Sequence, residues 1–175
     1  MLVPIDELNR MDTEDFERAL APLFEGAPRF CGRLAEGRPY TGYGQLLDRA
    51  ANVARDLSEV EEVELIDCHP RIGADPATVS AISHREQGYD AEIFDRNDRR
   101  DTHAVLDRLN AAYERQFGFR FVVHVAGRPR AEIAPLIEAA LGRRREEEIE
   151  RALSDIVAIA RDRLSVLIAG QEERV

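Results

Sequence analysis

The sequence predicts an all-α fold, a single compact domain of about eight helices over residues 1–175 with one short extended segment. Three observations lead to it. Apolar residues recur at three- and four-residue steps along most of the chain, the period of a helix with one buried face. One stretch, Phe119 to Val125, is instead aromatic and β-branched, with Phe117, Phe119 and Phe121 alternating onto one side. No internal repeat or low-complexity linker divides the 175 residues, a length at which one core buries about 70% of the unfolded surface.

Taken in order, Thr13 is placed to cap a first helix whose apolar positions are Phe16, Ala19, Leu20 and Leu23. Gly and Pro break the stretch from Gly26 to Pro39, which reads as a short helix between loops. From Thr41 onward, Leu46, Leu47, Ala50, Val53, Ala54 and Leu57 line one helical face. Ser58 with Glu61 has the form of a capping box and opens a short helix through Val60, Val63 and Ile66, which Pro70 stops. Arg71 to Pro76 is a loop leading to Thr78, the candidate cap of a helix through Ile82 and Glu86. Asp101 or Thr102 starts a longer helix through Val105, Leu106, Leu109, Ala112 and Tyr113, ending near Gly118. After the extended segment, helices over Pro129 to Leu141 and Arg144 to Leu167 complete the count.

Composition removes whole classes of function. All 24 basic side chains are arginine, so a lysine Schiff base, a lysine general base and a lysine-dependent phosphate loop are excluded. The net charge of -10 argues against binding nucleic acid, whose affinity rests on clustered positive charge. No apolar run approaches the ~20 residues that span a bilayer, and MLVPIDELNRMDTED carries acids where a signal peptide carries basic residues. No membrane partner and a cytoplasmic location are therefore expected, with Cys31 and Cys68 as thiols. No CxxC, HxH or HExxH spacing joins His69, His84, His103 or His124, so no metal site is expected, although Asp67 with three of these histidines makes a weak metal-hydrolase alternative.

Four features stand out from the helical background. In His69-Pro70-Arg71-Ile72-Gly73 a histidine is followed by a rigid proline and a nearby glycine, an arrangement suited to acid/base chemistry and equally to a helix C-cap. In Ser83-His84-Arg85-Glu86-Gln87, Ser83, Glu86 and Gln87 share a helical face carrying a hydroxyl, a carboxylate and an amide. An exposed helix end explains the same pattern. Main-chain N–H and C=O groups of the extended run suit a planar, urea-like ligand, while its phenylalanines suit a core. Arg143, Arg144 and Arg145, ahead of three glutamates, read most simply as a solvated face.

HPRIG from His69, SHREQ from Ser83 and NAAYERQFGFRF from Asn110, with LFEGAPRF near the start and EIERALSDIVAIARDRL near the end, resemble the 2-oxo-4-hydroxy-4-carboxy-5-ureidoimidazoline (OHCU) decarboxylases. The resemblance covers most of the chain. It implies an all-helical, cofactor-free decarboxylase of urate breakdown that makes (S)-allantoin, commonly a homodimer, with OHCU as its small-molecule partner. His69 matches the family's catalytic histidine and Glu86 the carboxylate that orients it. Pro70, Ser83, His84, Arg85, Gln87 and the main chain of Phe121, Val122, Val123, His124 and Val125 match the substrate-contacting positions. Arg71 and Arg120 stand where many members carry aspartate and proline. The family's substrate arginine, in an Ala-Arg-Leu context, falls at Ala140, with Arg143 one helical turn on as its candidate replacement. Two other readings stay open: a ligand-binding relative without activity, and a decarboxylase of a different ureido or imidazoline acid.

Overall fold

The computed structural model describes residues 2–74, 79–86, 96–129 and 132–172, with the backbone alone described at 81, 84, 85, 96–102 and 172. Nine helices and no strand occur among these residues, in agreement with an all-α class. The chain divides into two compact units, Met1–Cys68 with Leu153–Val175, and His69–Ala152.

The first unit begins with α1 (Ile5–Leu8), a single turn that buries Leu8. In α2 (Thr13–Phe24) the cap is Asp12 rather than Thr13: its carboxylate accepts from the Asp15 N–H at 2.8 Å, and an ionised side chain suits the positive helix start. Pro28 opens α3 (Pro28–Glu36), the first helical position being the one where a missing N–H costs nothing. α4 (Tyr43–Arg55) buries Leu46, Leu47, Ala50, Val53 and Ala54 of the face expected from its periodicity, while Leu57, also buried, lies beyond the helix end. α5 (Glu59–Asp67) starts with the expected capping box, in which the Ser58 N–H donates to Glu61 Oε2 at 2.9 Å. Glu61 also receives both arms of Arg33 at 2.8 Å, tying α5 to α3. α3 packs against α2, α4 and α5, so the core of this unit gathers around it. Phe24 and Phe30 meet edge to face at 5.1 Å within that core.

In the second unit, α6 (Ala81–Glu86) is capped from Ser80, whose Oγ accepts the Ser83 N–H at 3.2 Å; Thr78, the expected cap, lies outside the described residues. α7 (Arg96–Phe117) begins before Asp101, since Arg96 to Arg100 contains no Gly or Pro and arginine is a strong helix former. It ends at Gly118, whose N–H reaches the Glu114 carbonyl at 2.9 Å with φ +80, a conformation open to glycine at little cost. α8 (Ile133–Ala140) packs on α7. α9 (Arg145–Glu172) runs past the expected Leu167; its first two turns belong to this unit and the rest to the first. No helix of the described residues is long and apolar enough to cross a membrane.

Candidate functional site

His69 comes two residues after Asp67, just past the Cys68 cap of α5, and 2% of it is exposed. Helix termini leave carbonyls without intrahelical donors, and here Arg120 Nη1 donates to the His69 carbonyl at 3.0 Å. The turn from His69 to Gly73 is then held by one stripe of α7. Glu114 takes Arg71 in an ion pair, with Nε at 2.6 Å from Oε1. Asn110 Nδ2 donates to the Ile72 carbonyl at 2.9 Å. Gly73 has φ +81, and a Cβ there would lie 3.3 Å from Leu106 Cδ1. Residues 106, 110 and 114 recur every four positions, so one helical face holds the whole turn. Asn110 is fully buried, and its Oδ1 has no hydrogen-bond partner among the described residues.

Ser83 is buried on α6 and Glu86, at the end of that helix, is half-buried. His69, Ser83 and Glu86 thus lie in one unit. The backbone of His84 and Arg85 continues α6, while Gln87 lies outside the described residues. Pro70 is half-buried.

From Phe119 to Val125 the chain runs outside any helix and without a sheet partner among the described residues. Its phenylalanines form a core around Tyr113, whose ring lies 4.5 Å from Phe117, 5.7 Å from Phe119 and 5.1 Å from Phe121. Arginines take the carbonyls. Arg145 Nε donates to Phe117 O at 2.9 Å, Arg151 Nη1 to Val122 O at 2.7 Å, and Arg128 to both His124 O and Val125 O. A turn at Ala126 and Gly127, both with positive φ, brings Arg128 back to close it. Phe121, Val122 and Val123 are buried, yet their N–H groups donate to nothing among the described residues. Both N–H and C=O were expected to be open to a ligand. With three of the carbonyls between Phe121 and Val125 taken, the main-chain groups left open along the run are mainly donors.

Sequence reading did not find the group that braces this run. Glu148 is fully buried and accepts from Tyr113 Oη at 2.7 Å, Arg143 Nη1 at 2.9 Å and Arg151 Nη2 at 2.8 Å. Burial raises its carboxyl, but the hydrogen bonds from Arg151 and Tyr113 and the Arg151 charge outweigh that and hold it below the ordinary carboxylate range. The Tyr113 hydroxyl moves up, through burial and then the bond to Glu148. Arg151 also stacks 4.7 Å over the Phe121 ring. Arg144 forms a surface ion pair with Glu147. Arg143 is committed to Glu148, and Ala140 is buried at the end of α8. A signal for Glu148 was available: it precedes Ala152 and Ile156 by four and eight positions, on the buried stripe of α9.

Among the described residues, no three His, Cys, Asp or Glu side chains converge as a metal site.

A model of the OHCU decarboxylase family matches residues 9–165. The chain is 31% identical over 97% of its length to the uric acid degradation bifunctional protein PucL of Bacillus subtilis (strain 168), and it spans 33% of that protein. It is 28% identical over 94% of its length to the 2-oxo-4-hydroxy-4-carboxy-5-ureidoimidazoline decarboxylase of Mus musculus, spanning 92% of that protein. Its fold matches a crystal structure of OHCU decarboxylase in the presence of (S)-allantoin, with a TM-score of 0.68 and 20% identity over 87% of this chain and 98% of the other.

Proposed function

The chain belongs to the OHCU decarboxylase family, and on that premise we propose that it converts OHCU to (S)-allantoin in urate degradation, without a cofactor. The observation that carries the reading is His69: a buried imidazole on a turn held at its His69, Arg71 and Ile72 positions by hydrogen bonds from Arg120, to Glu114 and from Asn110. General acid/base work needs a group so placed, with an unperturbed pKa of ~6.5 near working pH.

The substrate supplies its own electron sink. OHCU carries a hydroxyl and a carboxylate on one ring carbon, beside a carbon doubly bonded to nitrogen. As the bond to the carboxylate breaks and CO2 leaves, its electron pair forms a double bond between the two ring carbons, and the imine electrons pass to nitrogen, which takes a proton. The resulting enol loses its hydroxyl proton to His69, and the ureido-bearing carbon gains a proton on one face, giving the S product. Glu86 orients the imidazole. Pro70, Ser83, His84, Arg85 and Gln87 contact the substrate, and the N–H groups of Phe121, Val122 and Val123 meet its carbonyl oxygens, with His124 and Val125 completing that wall. The proposal includes a cytoplasmic homodimer with no nucleic-acid or membrane partner.

The test couples the protein to urate oxidase and hydroxyisourate hydrolase with urate and follows (S)-allantoin by circular dichroism. The parent should produce the signal far faster than spontaneous decay, and His69→Ala should lose roughly 10²–10⁴-fold. Undiminished turnover by His69→Ala would reject the assignment. One observation favours a second reading, binding without turnover: Arg143, the candidate for the substrate carboxylate, is engaged by Glu148. Saturable allantoin binding with no acceleration of OHCU decay would select that reading.

A further inference from the structure

The backbone of His69 is held by a residue far away in sequence. Pro70 has no N–H and confines the residue before it to extended backbone. One handle on its backbone is the His69 carbonyl, and Arg120, 51 positions further on, occupies it through Nη1 at 3.0 Å. Arg120 is itself launched from fixed backbone. Its neighbours Phe119 and Phe121 are 2% and 1% exposed, and both rings pack against Tyr113. Arg120 also immediately precedes the buried N–H groups of Phe121, Val122 and Val123. A single side chain thus joins the imidazole-bearing residue to the peptide run assigned to the substrate.

We propose that Arg120 is a positioning residue for His69: by holding the His69 carbonyl, its guanidinium sets the imidazole at a fixed place relative to the main chain of Phe121 to Val123. This rests on the reading of His69 as the acid/base group. Proton transfer depends steeply on placement, so that a shift of about 1 Å costs on the order of 10²-fold in rate. Arg120 acts through the carbonyl and not through the substrate, so its removal lowers kcat and kcat/KM together and leaves KM in place.

The experiment compares the parent, Arg120→Met, Arg120→Lys, His69→Ala and the His69→Ala/Arg120→Met double variant in the coupled assay. Arg120→Met should lower kcat by about 10–100-fold with KM within about twofold. Arg120→Lys, which keeps a cationic donor, should recover most of the loss, and the double variant should be no slower than His69→Ala. If the methionine variant does not fold by far-UV circular dichroism, Arg120→Leu is read by the same criteria. A parental kcat in a folded Arg120→Met or Arg120→Leu protein, with His69→Ala inactive, overturns the positioning role and leaves the function standing. A raised KM with unchanged kcat overturns it too, by making Arg120 a substrate contact. Full activity in His69→Ala removes the premise instead.

Discussion

Replacing Glu148 with alanine leaves three donors facing the space its carboxylate filled. The Tyr113 hydroxyl is fully buried and loses its acceptor at 2.7 Å, a loss of about 1–3 kcal/mol. Arg151, with 21% of its side chain exposed, keeps the Val122 carbonyl but loses the Glu148 carboxylate. Arg143 is 46% exposed and turns to water, so it adds little. Breaking a buried pair by removing one partner costs about 3–5 kcal/mol, and the burial of Tyr113 and Arg151 puts Glu148→Ala in that range. For a chain of this length the loss lowers Tm by roughly 6–20 °C. Glu148→Gln keeps the shape and an acceptor for Tyr113, and should fall between the parent and alanine. Urea unfolding followed by far-UV circular dichroism, with thermal melts alongside, reads both variants. An alanine variant within about 1 kcal/mol of the parent refutes the reasoning, because it means Glu148, Tyr113 and Arg151 were never desolvated as a set.

Other outcomes follow from the same coordinates. Gly118→Ala places a Cβ where nothing lies within 4 Å, so its cost is conformational; about 1–2 kcal/mol should be lost in urea unfolding, and a neutral result would show that α7 ends differently. The Glu148 carboxyl lies below the ordinary range, and Glu61 is lowered to about 2, first by the Ser58 hydrogen bonds and then by Arg33. For groups lowered on folding, the stability they confer is present above the ordinary value of 4.5 and is lost as pH falls through the folded values. Urea midpoints should therefore hold from pH 7 to 5, fall between pH 4.5 and about 2, and fall less steeply in Glu148→Gln; a decline above pH 5 contradicts the assignment. Burial pushes the Cys31 thiol up to about 12, with the Glu17 and Cys68 charges adding to it. Iodoacetamide at pH 8 should thus label half-buried Cys68 well before Cys31, and equal rates would contradict that burial.

Periodicity and local capping were legible because they depend on neighbours in the chain. The α4 stripe from Leu46 to Ala54 and the Ser58–Glu61 box both appear in the structure as read. So does the break at Gly118, where aromatic spacing changes from helical to alternating. Boundaries were less legible: Asp12 displaces Thr13 as a cap, and α7 begins at Arg96 among residues with no apolar face to mark it. The bracing of the site was not legible at all. Arg120 to His69, Arg151 to Val122 and Tyr113 to Glu148 each span 29 or more positions, and a charged run such as RRREEEIER reads the same on a surface as at a buried stripe. The turn from His69 to Gly73 showed its chemistry in its residue types, while its three anchors on α7 needed the fold.

The division of the chain has a consequence for its biosynthesis. The second unit is one continuous stretch, His69–Ala152, whereas the first is assembled from both ends of the sequence. On the ribosome, α1 to α5 emerge first, and α9 supplies later partners for them: Arg161 pairs with Asp48, buried Arg163 pairs with Glu25, and Gln171 reaches the Leu2 carbonyl. The later-made stretch carrying His69, Ser83 and the arginine-braced run is complete in sequence before the earlier one. N-terminal units generally fold first during synthesis; here the unit assigned to chemistry is the first to have all its residues available.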